Sequence, residues 1–467
     1  MTTILWLRRD LRRGHHPALT AAAAGDQPVL PLFVIDPDLW QRCGPVRRGW
    51  LAATVRATDP AYDGRLCLRI GDPAEVVPRI ADEVGATAVH VTGESTPRGT
   101  RRDRVVRDRL RSEGIQWVVT GSPYAVTPGT VRNQSGGPYQ VFGAFARAWH
   151  LKLTAPGDTV GADWHHWVDA ASDPAAAAML DRAVEDCPVA LPEAGEHAAE
   201  LRWRAFLRDG LDGYADNRDR PDLAGTSHLS PWLKVGAIHP ARLLAELAGH
   251  HGTGADRLVD ELVWREFYAD VLHHHPDSAW HDLRPTLGTL PYDEGGDALT
   301  AWQTGHTGYP IVDAGMRQLA ETGWMHGRVR MLTASFLTKD LHVWWPVGAR
   351  FFLQHLIDAD IASNNHGWQW VAGTGTDPAP YFRVFNPVTQ AKRFDPQGDY
   401  VRRWIPELAH LDGPRVHEPW RAADGYAHGY PARIVDHAAE RREALARYNA
   451  ARGRHQSGSA AATNRQM

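Results

Sequence analysis

Short, mainly apolar runs recur through the first quarter of the chain: I-L-W-L (4–7), V-L-P-L-F-V-I (29–35), L-C-L-R-I (66–70), A-V-H-V (88–91) and Q-W-V-V (116–119). They are short for helices and rich in β-branched and aromatic residues, so they predict strands buried on both faces. Helix-like segments fall between them, around 17–24, 46–57, 73–84 and 100–112. This alternation predicts a Rossmann-like α/β domain over 1–130, a parallel five-stranded sheet with helices on both faces. A nucleotide-like ligand at the strand C-termini fits that topology. No G-x-G-x-x-G and no P-loop is present, so a dinucleotide site of that type is unsupported.

The pattern then dissolves. G-T-V-R-N-Q-S-G-G-P (129–138) reads as loop, and the Ala-, Asp- and Pro-rich stretch after Ala155 reads as a long connector with room for one short helix, the whole interdomain connector spanning 131–196. Helical periodicity returns over 197–450. Its clearest cases are W-R-A-F-L (203–207), I-H-P-A-R-L-L-A-E-L (238–247), L-V-D-E-L-V-W-R-E-F-Y (258–268) and V-D-A-G-M-R-Q-L (312–319). The polar, small-residue tail 451–467 is expected to be disordered. The expected organisation is therefore an α/β domain followed by an all-α domain.

Composition changes this picture little. A chain of 467 residues supports two domains, and 43% apolar with 23% charged residues is ordinary globular usage. No uncharged apolar run reaches membrane-span length, and the opening M-T-T-I-L-W-L-R-R-D lacks a signal-peptide layout. Cys43, Cys67 and Cys187 lie far apart, which fits a reducing cytoplasm better than a disulfide framework or a zinc site. The 25 histidines show no ligand spacing, so no metal is expected. A net charge of −4 excludes a globally basic nucleic-acid binder, so any DNA contact needs a local patch. Nineteen tryptophans are the anomaly; they serve a heavy core, a stacking surface or a redox role.

Several stretches carry candidate chemistry. In E-L-V-W-R-E-F-Y, Glu261, Trp264, Arg265 and Tyr268 share one helix face, as either an amphipathic helix with a Glu–Arg pair or a site wall of carboxylate, indole and guanidinium. In R-D-R-P-D-L-A-G-T-S-H-L-S-P-W-L (218–233), Thr226, Ser227 and Ser230 cluster before a helical run. They act as caps or, with Arg218 and Arg220 upstream, as phosphate donors. In D-A-D-I-A-S-N-N-H-G-W-Q-W (358–370), a helix with a break near Gly367 would send Trp368 and Trp370 to different sides. Asp358 and Asp360 would pair with arginines such as Arg328 and Arg330, or polarise a ring N–H of a heterocycle. Between Tyr381 and Trp404, Arg383, Lys392, Arg393, Arg402 and Arg403 outnumber Asp395 and Asp399, a solvated face or a track for a phosphodiester backbone.

Taken with W-Q-T-G-H-T-G-Y-P-I-V-D-A-G-M-R-Q-L and T-G-W-M-H-G-R-V-R-M, these stretches resemble the photolyase/cryptochrome family, most closely the class I cyclobutane pyrimidine dimer photolyases. The resemblance runs from L-W-L-R-R-D-L-R to about Trp404. It implies a helical domain holding FAD, with Tyr214, Thr226, Ser227, Leu229 and Ser230 on the phosphate side. Arg265, Gly327, Arg330, Asp358, Asp360 and Asn364 would surround the ring systems. A dimer flipped out of UV-damaged DNA would enter against Trp264 and Trp370, touching Met331 and Glu261, with Arg218, Arg265, Arg328, Lys392 and Arg393 toward the DNA. The implied reaction is light-driven electron transfer from reduced FAD that splits the dimer. Trp368, Trp345 and Tyr292 would relay electrons to the flavin.

The sequence departs from the family pattern at two of these positions. Gly327 stands where asparagine is usual in W-M-H-N-R, and Tyr292 stands where an outer tryptophan is usual. Gly327 and Met331 also stand where six-four members carry histidines, so the cyclobutane dimer is the expected lesion. In the N-terminal domain T-P-R-G-T-R-R-D (96–103) resembles the antenna element of deazaflavin-binding members, through Glu94, Arg98 and Gly99. The resemblance therefore implies 8-hydroxy-deazaflavin rather than methenyltetrahydrofolate as antenna. A monomeric repair enzyme is expected. A cryptochrome-like blue-light sensor is the alternative, and a plain DNA-binding helical protein leaves the hydroxyl cluster and paired aspartates without a role.

Overall fold

The computed structural model describes residues 2–154, 164–284, 287, 290–376 and 382–463. All five expected strands form: β1 (Thr2–Leu7), β2 (Val29–Ile35), β3 (Cys67–Ile70), β4 (Ala86–Val91) and β5 (Gln116–Val119). They make one parallel sheet in the order β3-β2-β1-β4-β5. Ile4 lies opposite both Leu30 and Val89, and with Trp6, Leu32 and Val91 these side chains are buried. Every residue of β2 is buried, which is why the run is apolar without alternation.

The flanking helices Pro17–Ala22, Pro45–Thr58, Pro73–Glu83 and Pro97–Ser112 each begin with proline. Its fixed φ suits the first helical position, where no N–H partner is needed. Asp72 and Thr96 cap two of them, accepting from the backbone N–H of Ala74 and of Gly99. Strand order reverses between β1 and β4, where open parallel sheets usually receive ligands. Charged side chains occupy that place here. Arg8 pairs with Asp103 at 3.0 Å and donates to the carbonyl of Thr92, while the Thr92 hydroxyl donates to Asp10.

The short helix expected after Ala155 forms as Pro174–Glu185, where the A-A-A-A-M-L run is strongly helix-forming, and Phe142–His150 precedes it. Two expectations about organisation need correction. Packing does not divide the chain at 130 and 196. One compact unit comprises 1–215, 226–276 and 357–362, and the other comprises 216–225, 277–356 and 363–467. The helix Thr253–His274 therefore packs in the unit of the sheet. Finally, the last helix, His437–Thr463, continues through 451–463, where disorder was expected. Alanines there keep helix propensity high, and 464–467 lie outside the described residues. Among the described residues no helix is long and apolar enough to cross a membrane.

Glu266 explains why the connector and the helix Thr253–His274 share a unit. Its buried carboxylate accepts from the backbone N–H groups of Ala125 and Val126 and from Trp149 Nε1 at 2.6 Å. Four residues on, Asp270 accepts from Gly129 N–H. Burial pushes the Glu266 carboxyl up to about 7 despite these three donors.

A carboxyl raised by folding lends stability in its protonated form, fully below the unfolded glutamate range, and loses it as pH climbs toward 7. Glu266→Gln sets an amide N–H against a donor and is expected to cost roughly 1–3 kcal/mol at pH 5. The gap between wild type and variant should narrow from pH 5 to pH 8 in denaturant-unfolding midpoints; a gap that stays constant removes Glu266 from the pH response.

Candidate active site

The predicted site residues fall into two sets, one in each compact unit. In the first, the helix Thr253–His274 exposes Glu261, Trp264, Arg265 and Tyr268 in part, while Leu262, Val263, Glu266 and Phe267 are buried. The predicted face is therefore the open face. Trp264 stacks on Phe142 with ring centres 3.8 Å apart and planes at 2°, which covers one side of the indole. The Arg265 guanidinium donates to the carbonyls of Pro123 and Leu233 and lies over the Tyr124 ring at 4.5 Å.

The hydroxyl cluster precedes the helix Ser230–Val235. Arg202 donates to the carbonyls of Thr226 and Ser227, and His228 sits at φ 54°, a strained conformation for a non-glycine residue. Burial and then Arg202 push the His228 imidazole down to about 4, so it is neutral. The Thr226 hydroxyl is buried with no hydrogen-bond partner among the described residues. A buried hydroxyl left so is costly, and a ligand oxygen would satisfy it. Leu229 is buried, Ser230 is exposed, and Tyr214 packs edge-on against Phe206.

Asp358 and Asp360 precede the helix Ile361–Ala372 rather than lying in it. Asp360 Oδ1 accepts from Ala362 N–H and so caps that helix. Its Oδ2 accepts from Arg9 at 2.9 Å and Lys234 at 3.1 Å. These cations replace the expected pairing with Arg328, which binds Asp219 at 2.8 Å. Arg330 donates to the Met325 carbonyl, and Asp358 is buried.

In the second unit the helix runs through Gly367 without the expected break. Trp368 is 3% exposed and Trp370 is partly exposed, so the two indoles do face different ways. Trp368 packs edge-on to Phe352 at 5.0 Å and to Trp302 at 6.2 Å. Trp370 lies under the Arg383 guanidinium at 5.1 Å. The polar residues between them are anchors. Asn364 donates to Ala349, Asn365 to Ala279, and Gln369 to Ser278, while Gln369 also accepts from Leu283 N–H.

On the helix Gly327–Ser335, Gly327, Arg328, Arg330 and Met331 keep exposure while Val329 and Leu332 are buried. A side chain at Gly327 would meet nothing within 4 Å at its Cβ. Arg328 and Arg393 both lie over the Phe394 ring, at 4.6 and 5.1 Å. The predicted DNA-facing cations are partly neutralised: Arg218 is 3.9 Å from Asp219, and Lys392 pairs with Glu418. Tyr381, the first residue of that basic segment, lies outside the described residues.

Residues 258–450 match the family model described as FAD binding domain of DNA photolyase, and residues 3–162 match the one described as DNA photolyase. The deoxyribodipyrimidine photo-lyase of Streptomyces griseus is 41% identical over 457 residues, spanning 95% of this chain and 97% of that protein. The chain belongs to the DNA photolyase family. Photolyase architecture recurs in the crystal structure of a class III photolyase from Agrobacterium tumefaciens, with TM-score 0.88, 34% identity, and 97% and 98% of the two chains covered. The cryptochrome of Synechocystis sp. PCC6803 matches with TM-score 0.85, 27% identity, and 95% and 98% covered.

As a photolyase-family member the chain binds FAD through its helical half, and some predicted contacts turn out to be made within the protein. Glu94 accepts from the N–H groups of Ser95 and Thr96, lies 3.8 Å from Arg9, and fills the space where Gly99 would carry a Cβ. Arg98 pairs with Asp36 and Asp38. Sequence reasoning missed Arg9, Tyr124 and Lys234, the partners of Asp360 and Arg265. The R-R-D after β1 was their one local signal.

Gly348, in the helix Trp345–His355, is required by Trp368: an added Cβ would lie 2.2 Å from its Cη2 and 2.5 Å from Leu337. Alanine normally improves a helix over glycine. Here Gly348→Ala is expected to destabilise by roughly 1–3 kcal/mol through overpacking, read as a lower denaturant midpoint with altered near-UV dichroism. An unchanged or higher midpoint contradicts the packing of Trp368 on Gly348.

Proposed function

We propose that this chain repairs cyclobutane pyrimidine dimers in DNA under blue light, with FAD as its cofactor. The observation that carries this reading is the helix Ile361–Ala372, which turns Trp368 into the core and leaves Trp370 partly exposed beneath a guanidinium. The name borne by the Streptomyces relative supports it.

The residues fit the cofactor. The Thr226 hydroxyl, which has no hydrogen-bond partner among the described residues, would with Tyr214, Ser227, Leu229 and Ser230 hold its phosphates. Arg265, Arg330, Asp358, Asp360 and Asn364 would hold its rings, and a Cβ at Gly327 would meet nothing within 4 Å. Bound FAD supplies the light absorption and the one-electron chemistry. The chain's own residues bind, orient and enclose. Trp370 and Trp264 would stack on the extruded bases, Glu261 would accept a hydrogen bond from them, and Met331 would pack on the lesion. Arg218, Arg328, Lys392 and Arg393 would follow the phosphates. Trp368, Trp345 and Tyr292 would restore the cofactor's electrons. Glu94, Arg98 and Gly99 would border an antenna, 8-hydroxy-deazaflavin in preference to methenyltetrahydrofolate. The protein would act as a monomer in the cytoplasm, a setting that suits its free cysteines.

A second reading, a cryptochrome-like light sensor with little repair, is favoured by Gly327 alone, which offers no side-chain amide to the cofactor.

The decisive experiment irradiates dimer-containing DNA with the reduced holoprotein and follows thymine absorbance; recovery supports repair, and none under blue light supports the sensor. Trp370→Ala is expected to weaken lesion binding by roughly 1–3 kcal/mol, about 5- to 150-fold, and binding of the wild type should fall with added salt. Unchanged affinity in the variant removes Trp370 from the pocket. Gly327→Asn should fold normally, since its Cβ enters clear space, and should alter the reduction potential of the bound cofactor; an unshifted potential would place Gly327 away from it.

A further inference from the structure

Trp345 is fully buried, and its Nε1 donates to Asp282 Oδ1 at 2.7 Å. The residue before it, Trp344, is 36% exposed. The Trp344 ring centre lies 6.4 Å from that of Tyr292, with planes at 39°. Backbone contacts hold the two strands of chain that bear these rings: Asp293 N–H donates to the His342 carbonyl, and Asp293 and Val343 form a parallel bridge. Arg447 ties the same segment down through Asp293 and the Pro291 carbonyl. The pair is therefore built into the fold rather than a chance approach of two surface rings.

We propose that Trp344 is the surface end of the electron relay, so that a positive hole on Trp345 leaves through Trp344, beside Tyr292, and is filled there from solution. The inference rests on the relay proposed above and moves its surface end from Tyr292 to Trp344. Oxidising a phenol requires its proton to leave, and burial followed by the Asp282 charge pushes the Tyr292 phenol well up from its ordinary range. An indole gives up an electron with its N–H still in place. Asp282 favours positive charge on Trp345 while the hole rests there. Water then favours it on half-exposed Trp344, where a cation is solvated.

The balance is simple. One electron leaves the Trp344 ring and fills the hole on Trp345. The Trp344 cation releases its Nε1 proton to water and becomes a neutral radical. A thiol in solution returns one electron and one proton, restoring the indole and ending as half of a disulfide.

The test uses the FAD-loaded full chain as wild type, Trp344→Phe, Tyr292→Phe and Trp368→Phe, with thermal midpoints checked first. Samples are illuminated and frozen for electron paramagnetic resonance, and parallel samples are illuminated in air without thiol for peptide mass spectrometry. A tryptophanyl radical in wild type and Tyr292→Phe, its loss or replacement by a tyrosyl radical in Trp344→Phe, and oxygen adducts concentrated at Trp344 are the expected results. A wild-type radical that is tyrosyl, or one unchanged in Trp344→Phe, overturns the proposal. Trp368→Phe separates the two levels. It should abolish every radical, and persistence there overturns the relay itself. If Trp368→Phe behaves as expected and Trp344→Phe matches wild type, only the role of Trp344 falls.

Discussion

One carboxylate ties together three elements of the first compact unit. Asp360 meets Arg9 from the end of β1, Lys234 from the helix Ser230–Val235, and the Ala362 N–H at the start of its own helix. Ions out of water are costly unless their partners are complete, and removing one partner leaves the other charges stranded. Burial pushes the Lys234 ammonium down to about 8, with Asp360 opposing that shift. The arrangement fixes three elements at once: the strand end, the hydroxyl-bearing loop that leads into Ser230–Val235, and the first turn of Ile361–Ala372. The hydroxyl-bearing loop and the start of the helix are thereby referred to the same partly buried charge.

Polar residues do unequal work along that helix. Asn364, Asn365 and Gln369 each donate to a backbone carbonyl of a neighbouring segment. The two indoles, by contrast, take no part in that anchoring. Trp368 sits against Phe352, Trp302 and the bare backbone of Gly348, while Trp370 keeps part of its surface open. Hydrophobic packing alone would not set two large aromatics among amides. Amides that lock the helix allow one indole to be buried and the other to stay available.

The β-sheet was legible because strands buried on both faces must be continuous apolar runs, as β2 is. The open face of Thr253–His274 was legible for the related reason that helix period separates Glu261, Trp264, Arg265 and Tyr268 from buried neighbours. What escaped were pairings set by long-range packing. Arg9 stands 351 residues from Asp360, and nothing local announces the pair. The Glu266 anchor looked like one more polar residue of an amphipathic helix, and without it the connector appeared to be a boundary. The helix over 451–463 escaped because its small polar residues suggest solvent, while its alanines favour helix in any setting.

The far end of the aromatic helix obeys the same electrostatics with opposite sign. A helix carries partial positive charge at its first turn and partial negative charge at its last, where carbonyls lack N–H partners. Asp360 meets the first turn. At the last, Lys339 donates to the Ala372 carbonyl, from a π-helical turn, Phe336–Asp340, that closes the helix Gly327–Ser335. Such turns are strained and are often kept where they aim a side chain. Burial pushes the Lys339 ammonium well down, yet its neighbours, a helix-end carbonyl and the face of Phe382 at 3.2 Å, suit a donor in either protonation state. Lys339 therefore terminates the helix without requiring a paired anion, and the irregular turn is the geometric condition for it. The same turn leads directly to Trp344 and Trp345, so the backbone that closes the Trp368–Trp370 helix also delivers one buried indole and one half-exposed one.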